Sequence, residues 1–264
     1  MQKNLLTLRF RKWFKGVACI TGGSRGLGRS MALSIAANGQ DVILTYNSKK
    51  AEAAEVVALI EKQGRKAVAL QLDASDTKSF AAFAETVKQT LKQTWNRDNF
   101  DFLVNNAGFG IYAPFTETTE EQFDQLVNVH LKGVFFLTQT LLPLMADGGR
   151  IINVSSGLAR FSLPGYMAYG AMKGAVEVLT RYMAVELGSR RISVNAVAPG
   201  AIATDFGGGV VRDNKAINQQ TVSQTALGRV GEADDIGGVV ASLLSDETRW
   251  INGQRIEVSG GIHL

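Results

Sequence analysis

Strand-length apolar runs alternate with helix-patterned segments along almost the whole chain, and that alternation limits the fold to one class. Residues 17–20, 42–45, 67–72, 102–104, 150–154, 192–198 and 254–258 each have the length and apolar content of a buried strand. Between them lie segments with helical spacing. Residues 27–38 follow the first strand, and residues 51–63 follow the second, closed by Gly64. Phe80, Phe83, Ala84, Val87 and Leu91 share a helix face after the third. Thr118 and Glu121 read as a capping box for a helix with Phe123, Leu126, Val127, Leu131 and Val134 on one face. Residues 166–190 form a further helix after the fifth strand. The pattern predicts an α/β fold: a doubly wound, Rossmann-type parallel sheet of seven strands with helices on both faces.

In such sheets ligands bind outside the carboxyl ends of the strands. Four features fall there: the glycine turn after residue 20, the turn Asn105-Asn106-Ala107-Gly108, the pair Ser155-Ser156, and Pro199-Gly200. The stretch 199–226, with Gly207-Gly208-Gly209 inside it, is the least patterned and has the length of a substrate lid.

With 264 residues and 45% apolar content, one domain over residues 16–264 is expected, preceded by a basic tail over 1–15. The tail holds Lys3, Arg9, Arg11, Lys12 and Lys15, and no acid precedes Asp41. Removing those five from the 28 basic residues leaves 23 against 24 acidic ones, so the net charge of +4 belongs to the tail. The tail reads as a solvated leader, with contact to an anionic surface through Leu5, Leu6, Leu8, Trp13 and Phe14 as the alternative. Neither nucleic acid nor membrane is an expected partner. The single Cys19 permits no intrachain disulfide, and with no signal-peptide pattern or membrane-length apolar run the expected compartment is the cytoplasm. Two histidines, His130 and His263, leave little for a metal site, and none is expected.

Thr21-Gly22-Gly23-Ser24-Arg25-Gly26-Leu27-Gly28 joins the first strand to the first helix. Glycines let the backbone approach an anion while the free N–H groups of the helix's first turn face it. Two other motifs overlap this stretch. Gly22-x-Ser24-x-Gly26 fits a hydrolase nucleophile elbow, but no upstream strand and loop supply an oxyanion donor, and neither histidine is placed to close a triad. Residues 23–30 resemble a phosphate-binding P-loop, but Arg29 stands in place of the lysine. A dinucleotide turn remains. The second strand ends in Tyr46-Asn47-Ser48-Lys49-Lys50, without the carboxylate that would hold a ribose diol, and Arg25 lies in the facing turn. A cation and neutral donors suit a 2′-phosphate, so NADPH is expected over NADH.

Tyr169 and Lys173 are four residues apart on a helix and share a face; Tyr166 has Gly170 at the same offset. A neighbouring ammonium is expected to lower the phenol's pKa from near 10, so that it can exchange a proton with a substrate oxygen. Ser156, at a strand end, could donate to the same oxygen.

Together these residues resemble the short-chain dehydrogenase/reductase family, from about residue 16 to residue 262. The glycine turn is similar to the family's Thr-Gly-x-x-x-Gly-x-Gly, Asn105 to Gly108 to its Asn-Asn-Ala-Gly turn, and Ser156 stands thirteen positions before Tyr169, the usual family offset. The resemblance implies catalytic roles for Asn128, Ser156, Tyr169 and Lys173, with Asn128 holding a water in a proton relay. It implies that Gly22, Ser24, Arg25, Gly26, Leu27, Gly28, Tyr46, Asn47, Ser48, Asp73, Ala74, Asn106, Ala107, Gly108, Pro199, Gly200, Ile202 and Thr204 contact the cofactor, joined by Tyr169 and Lys173. Gly170 replaces the family's more usual serine or alanine and is expected to loosen the helix. Ser259 stands where an aspartate is common.

The expected activity is NADPH-dependent reduction of a ketone or aldehyde. A similarity to 3-oxoacyl-[acyl-carrier-protein] reductases in Tyr46-Asn47-Ser48 keeps carrier-bound substrates, and acyl carrier protein as a partner, as an alternative. A non-catalytic NADPH-sensing protein is the alternative from another class. Phe109, Ile111, Tyr112, Leu158, Phe161 and Phe206 are the expected apolar lining. The family implies a homo-oligomer, tetramer or dimer.

Overall fold

The computed structural model describes residues 16–264, so the basic tail and its five cations lie outside the described residues. A single parallel sheet runs in the order β3-β2-β1-β4-β5-β6-β7. Its strands are β1 Val17–Ile20, β2 Asp41–Tyr46, β3 Ala67–Gln71, β4 Phe100–Asn105, β5 Met145–Val154, β6 Ser193–Pro199 and β7 Arg255–Val258. The helices are α1 Gly26–Ala37, α2 Lys50–Lys62, α3 Phe80–Trp95, α4 Glu120–Val127, α5 Val134–Leu141, α6 Met167–Glu186, α7 Val210–Asp213, α8 Lys215–Ser223 and α9 Ala233–Leu243.

Side chains alternate across each strand, and each face builds its own core. Ala18, Ile20, Leu44, Val104 and Ile152 pack under α1 and α9 through Met31, Ile35, Ile236 and Val240. Cys19, Ile43, Leu103, Ile151 and Val194 pack on the other face against Phe80, Phe83, Val87, Leu91 and Leu137 from α3 and α5. Each fully buried valine, leucine, isoleucine, phenylalanine or methionine among these stabilises the fold by roughly 1.5–3 kcal/mol. Helix α9 crosses α1 closely: a Cβ on Gly237 would lie 2.3 Å from Ser30 Oγ, and that hydroxyl donates to Asp234 at 2.6 Å.

Strand order reverses between β1 and β4, whose carboxyl ends carry the glycine turn and Asn105-Asn106. The crevice at such a reversal is where this architecture takes its ligand.

The sequence expectations need correction in four places. The capping box is Thr119 with Gln122, one residue later than expected; the Thr118 hydroxyl is committed to Pro114 O at 3.0 Å, and Thr119 has the extended backbone of an N-cap. The apolar face from Phe123 to Val134 is not one α-helix. Residues Asn128–Gly133 form a π-helical turn. Gly133 makes it possible, since a Cβ there would lie 2.4 Å from Ala74 O and 3.1 Å from Asn128 O. The helix after β5 ends at Glu186 and is followed by a short turn, Gly188–Arg190. Between β6 and β7 the unpatterned stretch contains α7 and α8, and α9 follows, started by a capping box of Glu232 and Asp235. Its Gly237-Gly238 pair lowers helix propensity, and packing on α1 overrides that.

Candidate active site

The glycine turn is shaped by its neighbours as much as by itself. Gly22 and Gly26 have φ of 66° and 53°, the left-handed region that favours glycine. Gly22 N–H donates to Thr45 Oγ1 at 3.1 Å, and Gly23 N–H to Thr45 O at 2.8 Å. A Cβ on Gly28 would sit 2.1 Å from Gly22 O and 2.6 Å from Asn106 Nδ2, so no side chain fits there. Thr21 Oγ1 accepts the N–H groups of Asn106 and Ala107, each at 2.9 Å, while Asn106 Nδ2 donates to Thr21 O and Gly22 O at 2.9 and 3.1 Å. The β1 and β4 turns are thereby one unit, with Ala107 and Gly108 at its rim.

Helix α1 opens on Gly26 with an extended N-cap at Arg25, no side-chain cap and no acid in its first turn. Its first N–H groups, at Gly26, Leu27 and Gly28, are left for an anion. Ser24 is buried beneath the turn. This cradle, which Cβ atoms would fill, fits a dinucleotide pyrophosphate. Asn47 and Ser48 are exposed beyond buried Tyr46. Asp73 accepts from Ser75 N–H and Oγ at 2.8 and 2.6 Å, and Ala74 O lies over Gly133. Arg25 is exposed and 3.9 Å from the Asp205 carboxylate.

The loop after β6 closes over this cradle. Pro199 ends the strand, Gly200 N–H donates to Val258 O at 3.0 Å, and Ile202 bridges Gly231. Thr204 Cβ lies 3.8 Å from the place a Cβ would take on Gly26.

Tyr169 and Lys173 are both buried on one face of α6, at 6% and 5% exposure. Lys173 Nζ donates to Val154 O at 2.8 Å and stands 5.5 Å from the centre of the Tyr169 ring. Ser156, just beyond β5, lies near enough to the Tyr169 phenol to oppose the rise in its pKa, while its Oγ accepts Leu158 N–H at 3.2 Å. The loop and helix can approach because of Gly170, where a Cβ would lie 2.9 Å from Leu158 O. Gly170 does not loosen α6; its N–H donates to Tyr166 O at 2.8 Å, and the helix is continuous from Met167 to Glu186. A buried amide chain holds the two strand ends in register. Asn105 Nδ2 donates to Thr138 Oγ1 and Asn153 Oδ1 at 3.0 and 2.8 Å, and Asn153 Nδ2 to Thr180 Oγ1 at 2.9 Å.

The expected fall in the Tyr169 pKa is not what the protein alone produces. Burial pushes the phenol well above its ordinary value, against a smaller opposing effect of the neighbouring Ser156 hydroxyl. Burial also lowers the Lys173 ammonium to about 7. Both groups are thus biased towards their neutral forms.

Sequence reasoning sets His130 aside as a helix residue, yet it belongs to the site. It is buried in the π-helical turn, edge-on to Tyr169 with ring centres 5.3 Å apart. Its Nε2 lies 2.7 Å from Phe109 O. Burial first, then the nearby Lys173 charge, lowers its pKa to about 3, so the ring is neutral. The one available signal was position: His130 follows Asn128 by two. Asn128 itself, partly buried, begins the π turn, which packs against α6.

Phe109, Ile111, Leu158 and Tyr166 surround Tyr169 and Met172. Tyr112 meets Tyr166 edge-on at 5.6 Å. Phe206 lies 5.6 Å from Tyr169, over Gly110, where a Cβ would be 2.7 Å from the Phe206 ring. Phe161 is the exception: its ring packs on His263 at 4.4 Å, in the C-terminal segment. Among the described residues no group of three metal-ligating side chains occurs, and no helix is long and apolar enough to cross a membrane.

A family model and three known proteins are similar to the chain. The short-chain dehydrogenase model described as "Enoyl-(Acyl carrier protein) reductase" matches residues 22–263. Tetrahydroxynaphthalene reductase PfmaG of Pestalotiopsis fici is 39% identical over 93% of this chain and 90% of its own length. Among solved structures, the reductase LugOII, which catalyses keto-reduction at C1 during lugdunomycin biosynthesis, is 39% identical with a TM-score of 0.89, covering 94% of this chain and 98% of its own. The angucycline C-6 ketoreductase LanV, with bound NADP, is 38% identical with a TM-score of 0.88, covering 94% and 95%. On the family match, these identities and a shared architecture, the chain belongs to the short-chain dehydrogenase/reductase family.

Proposed function

We propose that this protein reduces a ring ketone on a planar, fused aromatic substrate, with Tyr169 as the general acid. It is an NADP(H)-dependent oxidoreductase acting on carbonyl groups. The convergence of Ser156, Tyr169 and Lys173 beside the glycine cradle carries the reading. The substrate class is supported by the relatives, a hydroxynaphthalene reductase and two ketoreductases of polycyclic products, and by the aromatic wall of Phe109, Tyr166 and Phe206 around Tyr169.

The residues of the cradle, with Arg25 at the 2′-phosphate, would hold the dinucleotide. When bound, it supplies the hydride that reaches the carbonyl carbon. Tyr169 gives its phenolic proton to the carbonyl oxygen, and the Ser156 hydroxyl donates to the same oxygen as negative charge develops. Lys173, with a pKa near 7, returns a proton to the phenolate at neutral pH. Asn128 links Lys173 to solvent through water. Neutral His130 fixes the edge of the Tyr169 ring without adding charge.

Reduction of carrier-bound 3-oxoacyl chains is less well supported. Acyl carrier protein is acidic and needs a basic mouth, but Arg212 at this mouth lies 2.6 and 2.7 Å from Asp205 and Asp213, and Arg25 lies near Asp205. Phe136, Tyr182 and Val185 are exposed on α5 and α6 and support assembly of copies of the chain. A spectrophotometric assay of NADPH consumption with a bicyclic aryl ketone, a simple aliphatic ketone and an acetoacetyl-carrier substrate tests the substrate class. The bicyclic ketone should have the highest kcat/KM; preference for the carrier substrate would reverse the assignment.

A further inference from the structure

One ion-paired cluster beside the site plays no part in the chemistry above. Arg255 lies on the edge strand β7, two strands from β5, whose end carries Ser155 and Ser156. Its guanidinium makes three kinds of contact at once. Nε donates to Glu177 Oε1 at 2.6 Å, Nη1 to Glu257 Oε2 at 2.7 Å, and Nη2 to the main-chain oxygen of Ser156 at 3.3 Å. Glu177 sits on α6 one turn beyond Lys173, and it also accepts from Ser155 Oγ at 2.7 Å. The carboxylate and guanidinium of one ion pair therefore grip two successive residues, one of them Ser156.

The cluster extends to the C-terminal segment. Arg160 donates to both carboxylate oxygens of Glu257, at 2.8 and 2.7 Å, and to the main-chain oxygens of Ile262 and His263 at 2.8 and 3.0 Å. Ser259 Oγ donates to Glu257 at 3.0 Å. Two cations and two anions alternate along this chain of contacts. None of Glu177, Arg255 and Glu257 has more than about a quarter of its side chain exposed, so solvent screens their pairing less than at the open surface. The arrangement needs an arginine: a planar fork serves three partners in fixed directions, whereas a lysine ammonium is one compact point of charge.

We propose that Arg255, braced by Glu177 and Glu257, is a positioning residue for Ser156, fixing the Ser156 peptide so that its hydroxyl meets the Tyr169 phenol. This rests on Ser156 acting as the hydrogen-bond donor described above. A displacement of about 1 Å in such a donor can cost up to about a hundredfold in rate.

The test is a double-mutant comparison, Arg255→Met in the wild-type and in the Ser156→Ala background. The readouts are kcat for ketone reduction and NADPH affinity by fluorescence titration. In the wild-type background R255M should lower kcat about tenfold or more, with NADPH affinity changed less than about twofold. In the S156A background the same substitution should change kcat less than about twofold, because the group it acts through is gone. Arg255→Lys should not restore the rate. Equal loss in both backgrounds, or no loss in the wild type, overturns the proposal while leaving the reading of the site intact. Full activity of S156A alone overturns the role of Ser156 and the proposal with it. Should R255M not yield folded protein, Glu177→Gln keeps the shape and removes the charge, and the same comparison is made with it; it should lower kcat in the wild-type background only.

Discussion

Lys173→Met should abolish turnover and yet stabilise the cofactor-free protein at neutral pH and below. The ammonium is buried, and burial moves its pKa from 10.5 to about 7. A group that ionises more readily in the unfolded chain makes folding depend on pH. Between about pH 7 and 10 the unfolded chain binds more protons at this site, so stability rises with pH across that window. Below about pH 7 the lysine is protonated in both states, and the cost is fully present. About three and a half pH units amount to roughly 5 kcal/mol. Methionine is of similar reach, apolar and adaptable, and removes that cost. It also strips Val154 O of the Nζ hydrogen bond, 2.8 Å long in the wild type, which costs about 1–3 kcal/mol. The variant should therefore be more stable than wild type by about 2–4 kcal/mol near pH 6. The difference should shrink as pH rises and change sign between about pH 8.5 and 10, where the falling cost of burying the ammonium matches the lost hydrogen bond. Urea unfolding of both proteins, cofactor-free and at one protein concentration, measures this at about pH 6, 8 and 10. A variant less stable at every pH, or a difference that does not vary with pH, would refute the account of Lys173 as a lysine buried at a cost.

Gly28→Ala should weaken NADPH binding at least about tenfold, since relieving the 2.1 Å clash with Gly22 O moves the turn itself, at about 1–3 kcal/mol; fluorescence titration reads the affinity. Its control is Gly174→Ala on α6, where a Cβ meets nothing within 4 Å; that variant should gain about 0.5–1 kcal/mol in urea unfolding with cofactor affinity unchanged. Arg25→Gln should lower kcat/KM for NADPH about tenfold and leave NADH nearly unaffected, as loss of one charge-assisted phosphate contact implies. An equal fall with both nucleotides would place Arg25 elsewhere than at the 2′-phosphate.

What was legible in the sequence was local. β1, the glycine turn and α1 follow one another within about twenty residues and announce themselves by apolar run, glycine spacing and helical periodicity. Tyr169 and Lys173 were legible because α6 is long and regular, so an offset of four means a shared face. Features that depend on distant groups were not. The π turn after Asn128 relies on a close approach of Gly133 to Ala74 O, and the apolar spacing of that segment reads equally well as plain α-helix. The capping box slipped by one because Pro114 O, not the helix, takes the Thr118 hydroxyl. Helix α9 has little propensity of its own and exists by packing on α1. His130 and Arg255 reach the site only through the fold, across the β4 turn and the width of β6. The pKa of Tyr169 has a related cause: spacing reveals a neighbouring amine, but the depth of burial that raises the phenol's pKa appears only in three dimensions.

Single-turnover reduction of a bicyclic aryl ketone by the NADPH-loaded protein, wild type against Tyr169→Phe, probes the assigned chemistry most directly. The variant should bind NADPH within about twofold of wild type and transfer hydride at least about a hundredfold more slowly, the usual range for a lost general acid. Hydride transfer at close to the wild-type rate without the phenolic hydroxyl would contradict the role given to Tyr169 and the mechanism built around it.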